Sequence, residues 1–242
     1  MSEQKPILWT KGLERHFGGV RAVAGVDFSL QQGELRCLIG PNGAGKSTFF
    51  KMITGQLRPS AGEIHVAGQS IRNAEPHEIA ARGVGIKNQV PDVMNGLRVR
   101  ENLWLAASSK WRGSKAVTAV DRIAERLSLT RILGRLVGEL AHGQRQWVEI
   151  GMVIVAEPKI VLLDEPTAGM SDEETTLTAE LIREINKDMT IVVVEHDMQF
   201  IRQIARMVTV FHRGRVLMED TFDQVVANPT VRDVYLGRAK GG

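Results

Sequence analysis

Apolar positions along this chain fall into two rhythms. Short, almost unbroken apolar runs mark Glu34–Ile39, Ile160–Leu163 and Thr190–Val194. Runs of that length, bounded by polar or breaker residues, read as strands buried on both faces. Shorter strand-like stretches lie at residues 7–9, 24–30 and 63–66, and residues 206–211 and 215–218 form a closing pair around Arg213-Gly214. The helical rhythm of three and four appears at Lys46–Thr54, Asp172–Lys187 and Met198–Ala205, and fills the middle at Val99–Ser108, Ala116–Leu127 and Gln144–Ala156. Strands alternating with helices predict an α/β fold with a mainly parallel sheet covered on both faces. The helical middle, residues 89–156, reads as an inserted lobe, with residues 1–88 and 157–242 forming the core of one domain.

Composition narrows the class without identifying it. With 242 residues, 43% of them hydrophobic, the chain can bury a substantial core. Charged residues make up 24%, which argues against disorder. No apolar run approaches the length of a membrane span. MSEQKPILWT lacks a basic start followed by an apolar run, so no signal peptide is expected. The single cysteine, Cys37, forms no internal disulfide and reads as a core thiol. These features predict a cytoplasmic chain. The net charge of +3 reads first as a solvated surface and gives only weak support for an anionic partner such as a nucleotide, lipid headgroup or nucleic acid.

The chemistry is concentrated at Gly40-Pro41-Asn42-Gly43-Ala44-Gly45-Lys46-Ser47-Thr48. An apolar strand runs into this segment and a helix leaves it. In that context G-x-x-x-x-G-K-[ST] folds its amides around phosphate, helped by the positive end of the helix. Lys46 then reaches the β- and γ-phosphates, Ser47 ligates Mg²⁺, and Thr48 can meet a further phosphate oxygen. A second buried strand ends in Asp164-Glu165. Asp164 is placed to hold Mg²⁺ beside Ser47, and Glu165 to act as general base on an attacking water.

With these motifs in order, the chain resembles the nucleotide-binding subunit of ABC transporters over nearly its whole length. Leu140-Ala141-His142-Gly143-Gln144 resembles the signature of that family, normally Leu-Ser-Gly-Gly-Gln. Gln89, His196 and Ala168–Asp172 fall where the family has its Q-loop glutamine, switch histidine and D-loop, and Phe17 falls where an aromatic stacks on adenine. The resemblance implies a P-loop NTPase core with an N-terminal antiparallel β lobe and the inserted helical lobe. It implies ATP and Mg²⁺ as cofactors, Glu165, His196, Lys46 and Gln89 as catalytic residues, and Ser47, Gln89 and Asp164 around the metal. It also implies a head-to-tail dimer, in which Ala141, His142, Gly143 and Gln144 of one subunit cap the γ-phosphate held by the other. Read as bare residues, Gln89 is equally a loop glutamine, His196 a cap or core histidine, and Phe17 a core side chain.

Two departures stand out. Ala141-His142 replaces Ser-Gly, leaving His142 as either a donor or a spacer, and Ser171 replaces the D-loop aspartate. Ser171 with Glu174 also forms an S-x-x-E capping box. The segments 34–40, 54–59, 85–91, 140–147 and 168–174 resemble the branched-chain amino acid type of importer ATPase, and the Ala-His-Gly-Gln signature and the Gly169-Met170 pair resemble, within it, the urea-uptake subunits. The implied partners are a second ATPase subunit (identical or a paralogue), transmembrane permease subunits and, indirectly, a solute-binding protein. The implied location is the inner face of the membrane. A lipid or polysaccharide exporter ATPase is a rival reading. A soluble ABC ATPase acting on nucleic acid or ribosomes is another, but one cassette without a long heptad run or a Cys pair disfavours it, and no nucleic-acid partner is expected.

Other features read more plainly. His65 and His77 lack partners at zinc-ligand spacing. Lys110–Lys115 is a small basic-aromatic loop, either solvated or facing a lipid headgroup or membrane subunit. Residues 90–97 are apolar for a loop, and either pack between lobes or line a groove for the permease.

Overall fold

The structure, a computed structural model, describes residues 5–89 and 92–236. A long hairpin, β1 (Leu8–Phe17) and β2 (Val20–Leu30), opens the chain, followed by β3 (Leu35–Ile39) and α1 (Lys46–Ile53). Next come β4 (Ala61–Val66), β5 (Gln69–Ser70), α2 (Pro76–Ala81) and β6 (Val84–Lys87). The helical middle holds α3 (Val99–Ala107), α4 (Ser114–Arg126) and α5 (His142–Ile154). The chain then alternates β7 (Ile160–Asp164), α6 (Asp172–Asn186), β8 (Thr190–Val194), α7 (Met198–Ile204) and β9 (Met207–His212). It closes with β10 (Arg215–Asp220), α8 (Phe222–Ala227) and α9 (Pro229–Leu236).

The strands form two sheets. One is antiparallel, in the order β2-β1-β4-β5; the other has six strands in the order β10-β9-β3-β8-β7-β6. In the second, β9, β3, β8, β7 and β6 run parallel and only β10 is antiparallel. The period of two along the buried strands divides the core. Cys37, Ile39, Val161, Leu163, Ile191 and Val193 face the helices. Leu38, Leu162, Val192 and Val194 face α1 and the antiparallel sheet. Phe49 of α1 bridges that second layer, with its ring 5.3 Å from both Phe28 and Phe211. The apolar residues of α3, α4 and α5 join the helix-side core without a break.

The structure differs from the pattern-based expectation mostly in extent. The first strand pair is longer than residues 7–9 and 24–30. Register shifts between Thr10 and Leu13 and between Arg15 and His16 break the alternation, and Lys11, Glu14 and Arg15 lie on or near the wet face. β6, α2, α8 and α9 had no clear apolar rhythm because each is short and half exposed.

Cys37 is fully buried, and burial pushes its thiol far above the ordinary range, with Glu195 adding to the shift. The native protein is therefore expected to show no reaction with a thiol-specific aromatic disulfide at pH 8, and one equivalent after denaturation. Rapid labelling of native protein would contradict the buried placement.

Candidate functional site

The cradle forms because β3, an interior strand, delivers Gly40 to the carboxyl end of the parallel strands and α1 carries the chain away. Gly40 has φ +151, and a side chain there would collide with the Phe211 carbonyl. Gly45 has φ +106, and a Cβ there would sit 2.5 Å from the Ala22 carbonyl oxygen. Only glycine allows both approaches. The turn between β9 and β10 braces the loop: Gly214 N–H donates to Ala44 O at 2.9 Å, and Ala24 N–H to Gly214 O at 2.8 Å. Lys46 bends over the loop, its ammonium donating to Gly40 O at 2.5 Å and Pro41 O at 3.3 Å.

The carboxylates arrive from β7. Asp164 ends the strand and Glu165 follows with φ +47, a left-handed conformation costing a non-glycine residue about 1–3 kcal/mol. The Glu165 amide donates to Val194 O at 2.9 Å, tying the turn to β8. Its Oε2 accepts from Gln89 Nε2 at 2.8 Å, and its Oε1 lies 3.6 Å from His196 Nδ1, beyond hydrogen-bond length. Behind them Glu195 is buried, accepting from Thr167 Oγ1 at 2.5 Å and from the His196 amide at 3.0 Å. Burial raises the Asp164 carboxyl above its usual range, and Glu165 adds to this, while Lys87 and Lys46 oppose it. Burial lowers Lys46, against the pull of Glu165 and Asp164.

A cavity of about 540 Å³ collects Phe17, residues 42–48, Gln89 and Glu165. A second, of about 490 Å³, adjoins it and adds Gly40, Pro41, His196 and Tyr235. Both lie at the carboxyl ends of parallel strands, where open α/β sheets bind ligands. A further cavity of about 380 Å³ lies at the opposite ends of β7 and β8, where Arg122 and Arg126 are already paired with Glu157 and Asp188. Phe17 is exposed, not core, with the Arg15 guanidinium 4.7 Å over its ring.

Ala141, His142, Gly143 and Gln144 lie at the start of α5, and none of them lines either cavity of the cradle. The His142 ring instead meets its own chain at Ala168. Of the apolar loop, Val90 and Pro91 lie outside the described residues, Val93 packs on the helix-side core and Met94 is exposed. Asn102 fixes this loop, accepting from Met94 N–H at 2.8 Å and donating to Met94 O at 3.1 Å. The Lys110–Lys115 loop is held by Trp111, which donates to Val155 O at 3.1 Å. His65 stacks on Trp9 at 4.0 Å.

Lys87, Glu149, Glu195 and Tyr235 escaped the sequence reading. Lys87 and Glu149 form a buried ion pair, Nζ to Oε2 3.5 Å, that joins β6 to α5. A charged residue in an otherwise apolar strand end was the available signal for Lys87.

Phosphate and Mg²⁺ chemistry suits this set. The described residues contain no cluster of three His, Cys, Asp or Glu side chains able to hold a metal alone. Ser47 and one carboxylate beside phosphate oxygens make an all-oxygen donor set, which suits a hard cation that keeps much of its water. No helix among the described residues is long and apolar enough to cross a membrane.

Comparison with known proteins agrees with this geometry. The family model described as ABC transporter matches residues 23–168, and one described as Branched-chain amino acid ATP-binding cassette transporter matches residues 215–240. The chain is 33% identical to the high-affinity branched-chain amino acid transport ATP-binding protein BraF of Pseudomonas aeruginosa, over 97% of this chain and 99% of that one. It is 34% identical to LivG of Escherichia coli K12, which carries the same description, with the same coverage. Among solved structures, an ATP-binding cassette of an ABC transporter in its ADP conformation superposes with a TM-score of 0.89 at 29% identity, covering 97% of this chain and 100% of that one.

Proposed function

The chain belongs to the ATP-binding subunits of ABC transporters, of the branched-chain amino acid type, and is an ATPase; from that premise we propose that it energises import of a small polar solute, either a branched-chain amino acid or urea or a related amide. The observation that carries this reading is the meeting of Gln89, Glu165 and the Lys46 loop in one cavity, with the Gln89–Glu165 bond at 2.8 Å.

In this reading the backbone N–H groups of the loop 40–45, Pro41 having none, and the Lys46 ammonium hold the phosphates, with Thr48 beside them. Phe17 stacks on adenine. Ser47, Asp164 and Gln89 would hold Mg²⁺, which would supply positive charge against the phosphates. Glu165 takes the proton of the attacking water, Gln89 orients the Glu165 carboxylate, and His196 donates where charge develops on the γ-phosphate. Ala141–Gln144 of a second copy close the site through the Gly143 amide and the start of α5. Permease subunits dock on the helical lobe, taken as residues 89–156 against a core of 1–88 and 157–242. The assembly sits on the inner face of the membrane and receives solute from a binding protein.

The Ala141-His142 signature supports urea within this class, and the BraF and LivG names support a branched-chain amino acid. ATPase activity of the complex, reconstituted with its permease and binding protein, decides between them. Urea is expected to stimulate it severalfold while leucine does not. Stimulation by leucine alone would reassign the solute, and stimulation only by a lipid substrate would overturn the importer reading.

A further inference from the structure

The places where this chain departs from the family signature and D-loop meet in space. His142 opens α5, and its Nε2 lies 2.8 Å from the Ala168 carbonyl oxygen. A carbonyl only accepts, so Nε2 carries the proton in this contact. The Nε2 of the buried Gln146 lies 3.1 Å from the same nitrogen and, being a donor itself, makes no hydrogen bond to the protonated Nε2. The ring lies over Gly169, where a Cβ would be 3.2 Å from Nε2.

The contact continues along both helices. A side chain at Gly143 would collide with the Glu174 carboxylate, which also accepts from the Ser171 amide at 3.0 Å. Trp147 Nε1 donates to Thr178 Oγ1 at 2.8 Å, and Thr178 Oγ1 lies 3.2 Å from Met170 Sδ. The start of α5 is thus fastened to residues 168–171 and the first turns of α6. The link reaches the backbone of Glu165: Ala168 N–H donates to the Glu165 carbonyl oxygen at 3.3 Å.

We infer that His142 is a positioning residue that ties the signature loop to residues 168–171 of its own chain, and through them to Glu165. Contact of the signature with a γ-phosphate on the second copy then moves the segment that carries Glu165, so that each ATP reports to the other. This rests on the reading of the chain as half of an ATP-bound dimer. His142 acts through Ala168 and touches no reacting atom.

The test compares His142→Ala with His142→Gln, whose side-chain amide reaches the same position as Nε2. Turnover in His142→Ala is expected to fall about tenfold, the kinetic weight of one hydrogen bond, while the affinity of the single chain for ATP is unchanged. His142→Gln should restore most of the turnover. In a Glu165→Gln background, His142→Ala should also raise the ATP concentration needed for dimer formation. Wild-type turnover in His142→Ala overturns the inference, as does loss of single-chain ATP affinity or of the fold, which would mark a merely structural role. If Glu165→Gln with His142 intact binds ATP without dimerising, the dimer reading itself fails, and the two failures are told apart by that control.

Discussion

Glu165→Gln is expected to lower ATP turnover by about 10²–10³-fold with little change in the ATP concentration at half-maximal rate, within the usual weight of a general base. The substitution keeps the size of the side chain and the hydrogen bond to Gln89, seen at 2.8 Å, and removes only the basic oxygen. The contacts proposed to hold the phosphates come from the loop ending in Lys46 and Ser47, which the substitution leaves untouched. The strained backbone at Glu165, φ +47, is held by the hydrogen bond from its N–H to Val194 O and does not depend on the carboxylate. Phosphate release under saturating Mg²⁺ and ATP is the measurement. A variant within about twofold of wild type would remove Glu165 from the base role.

The second large effect concerns stability. Lys87 is 0% exposed and Glu149 4%, with their charged atoms 3.5 Å apart. Burial drives Lys87 down and Glu149 up from their ordinary values, and each opposes the shift in the other. Removing one partner leaves a buried charge alone. Glu149→Leu is therefore expected to destabilise the fold by about 3–5 kcal/mol, whereas Lys87→Met combined with Glu149→Leu recovers most of that loss. For a chain of this size the single variant should lower the melting temperature by roughly 6–20 °C. Glu149 also accepts from the Asp92 amide at 3.1 Å, and Lys87 donates to Asn88 O at 3.1 Å. The pair thus holds the residues on both sides of Gln89 against α5. A single variant that melts with the wild type would show that the pair contributes nothing net.

Why some of this was legible in the sequence and some was not follows from how each part is held. The cradle is contiguous, so its glycines, lysine and hydroxyl announce themselves together. Asp164-Glu165 follows a run whose every apolar residue is buried, and β8 reads as apolar for the same reason. The predicted Ser171–Glu174 capping box is present, with the Glu174 amide donating to Ser171 Oγ at 3.3 Å. The hairpin β1–β2 was undercounted because its bulges interrupt the period on which strand prediction rests. Lys87 and Glu149 were missed because each alone has the character of a surface residue, and only the packing of β6 on α5 brings them together. In sequence His142 reads equally as donor or spacer because its partner, the Ala168 carbonyl, is a backbone atom with no sequence signal.

In the proposed dimer, one folded chain carries half of each ATP site. The mass of the Glu165→Gln variant in solution, measured with and without ATP, tests it most directly. From a single-chain mass of 26.7 kDa, ATP with Mg²⁺ is expected to double the value, while ADP leaves it unchanged. A variant that binds ATP at full occupancy and stays at the single-chain mass would contradict it.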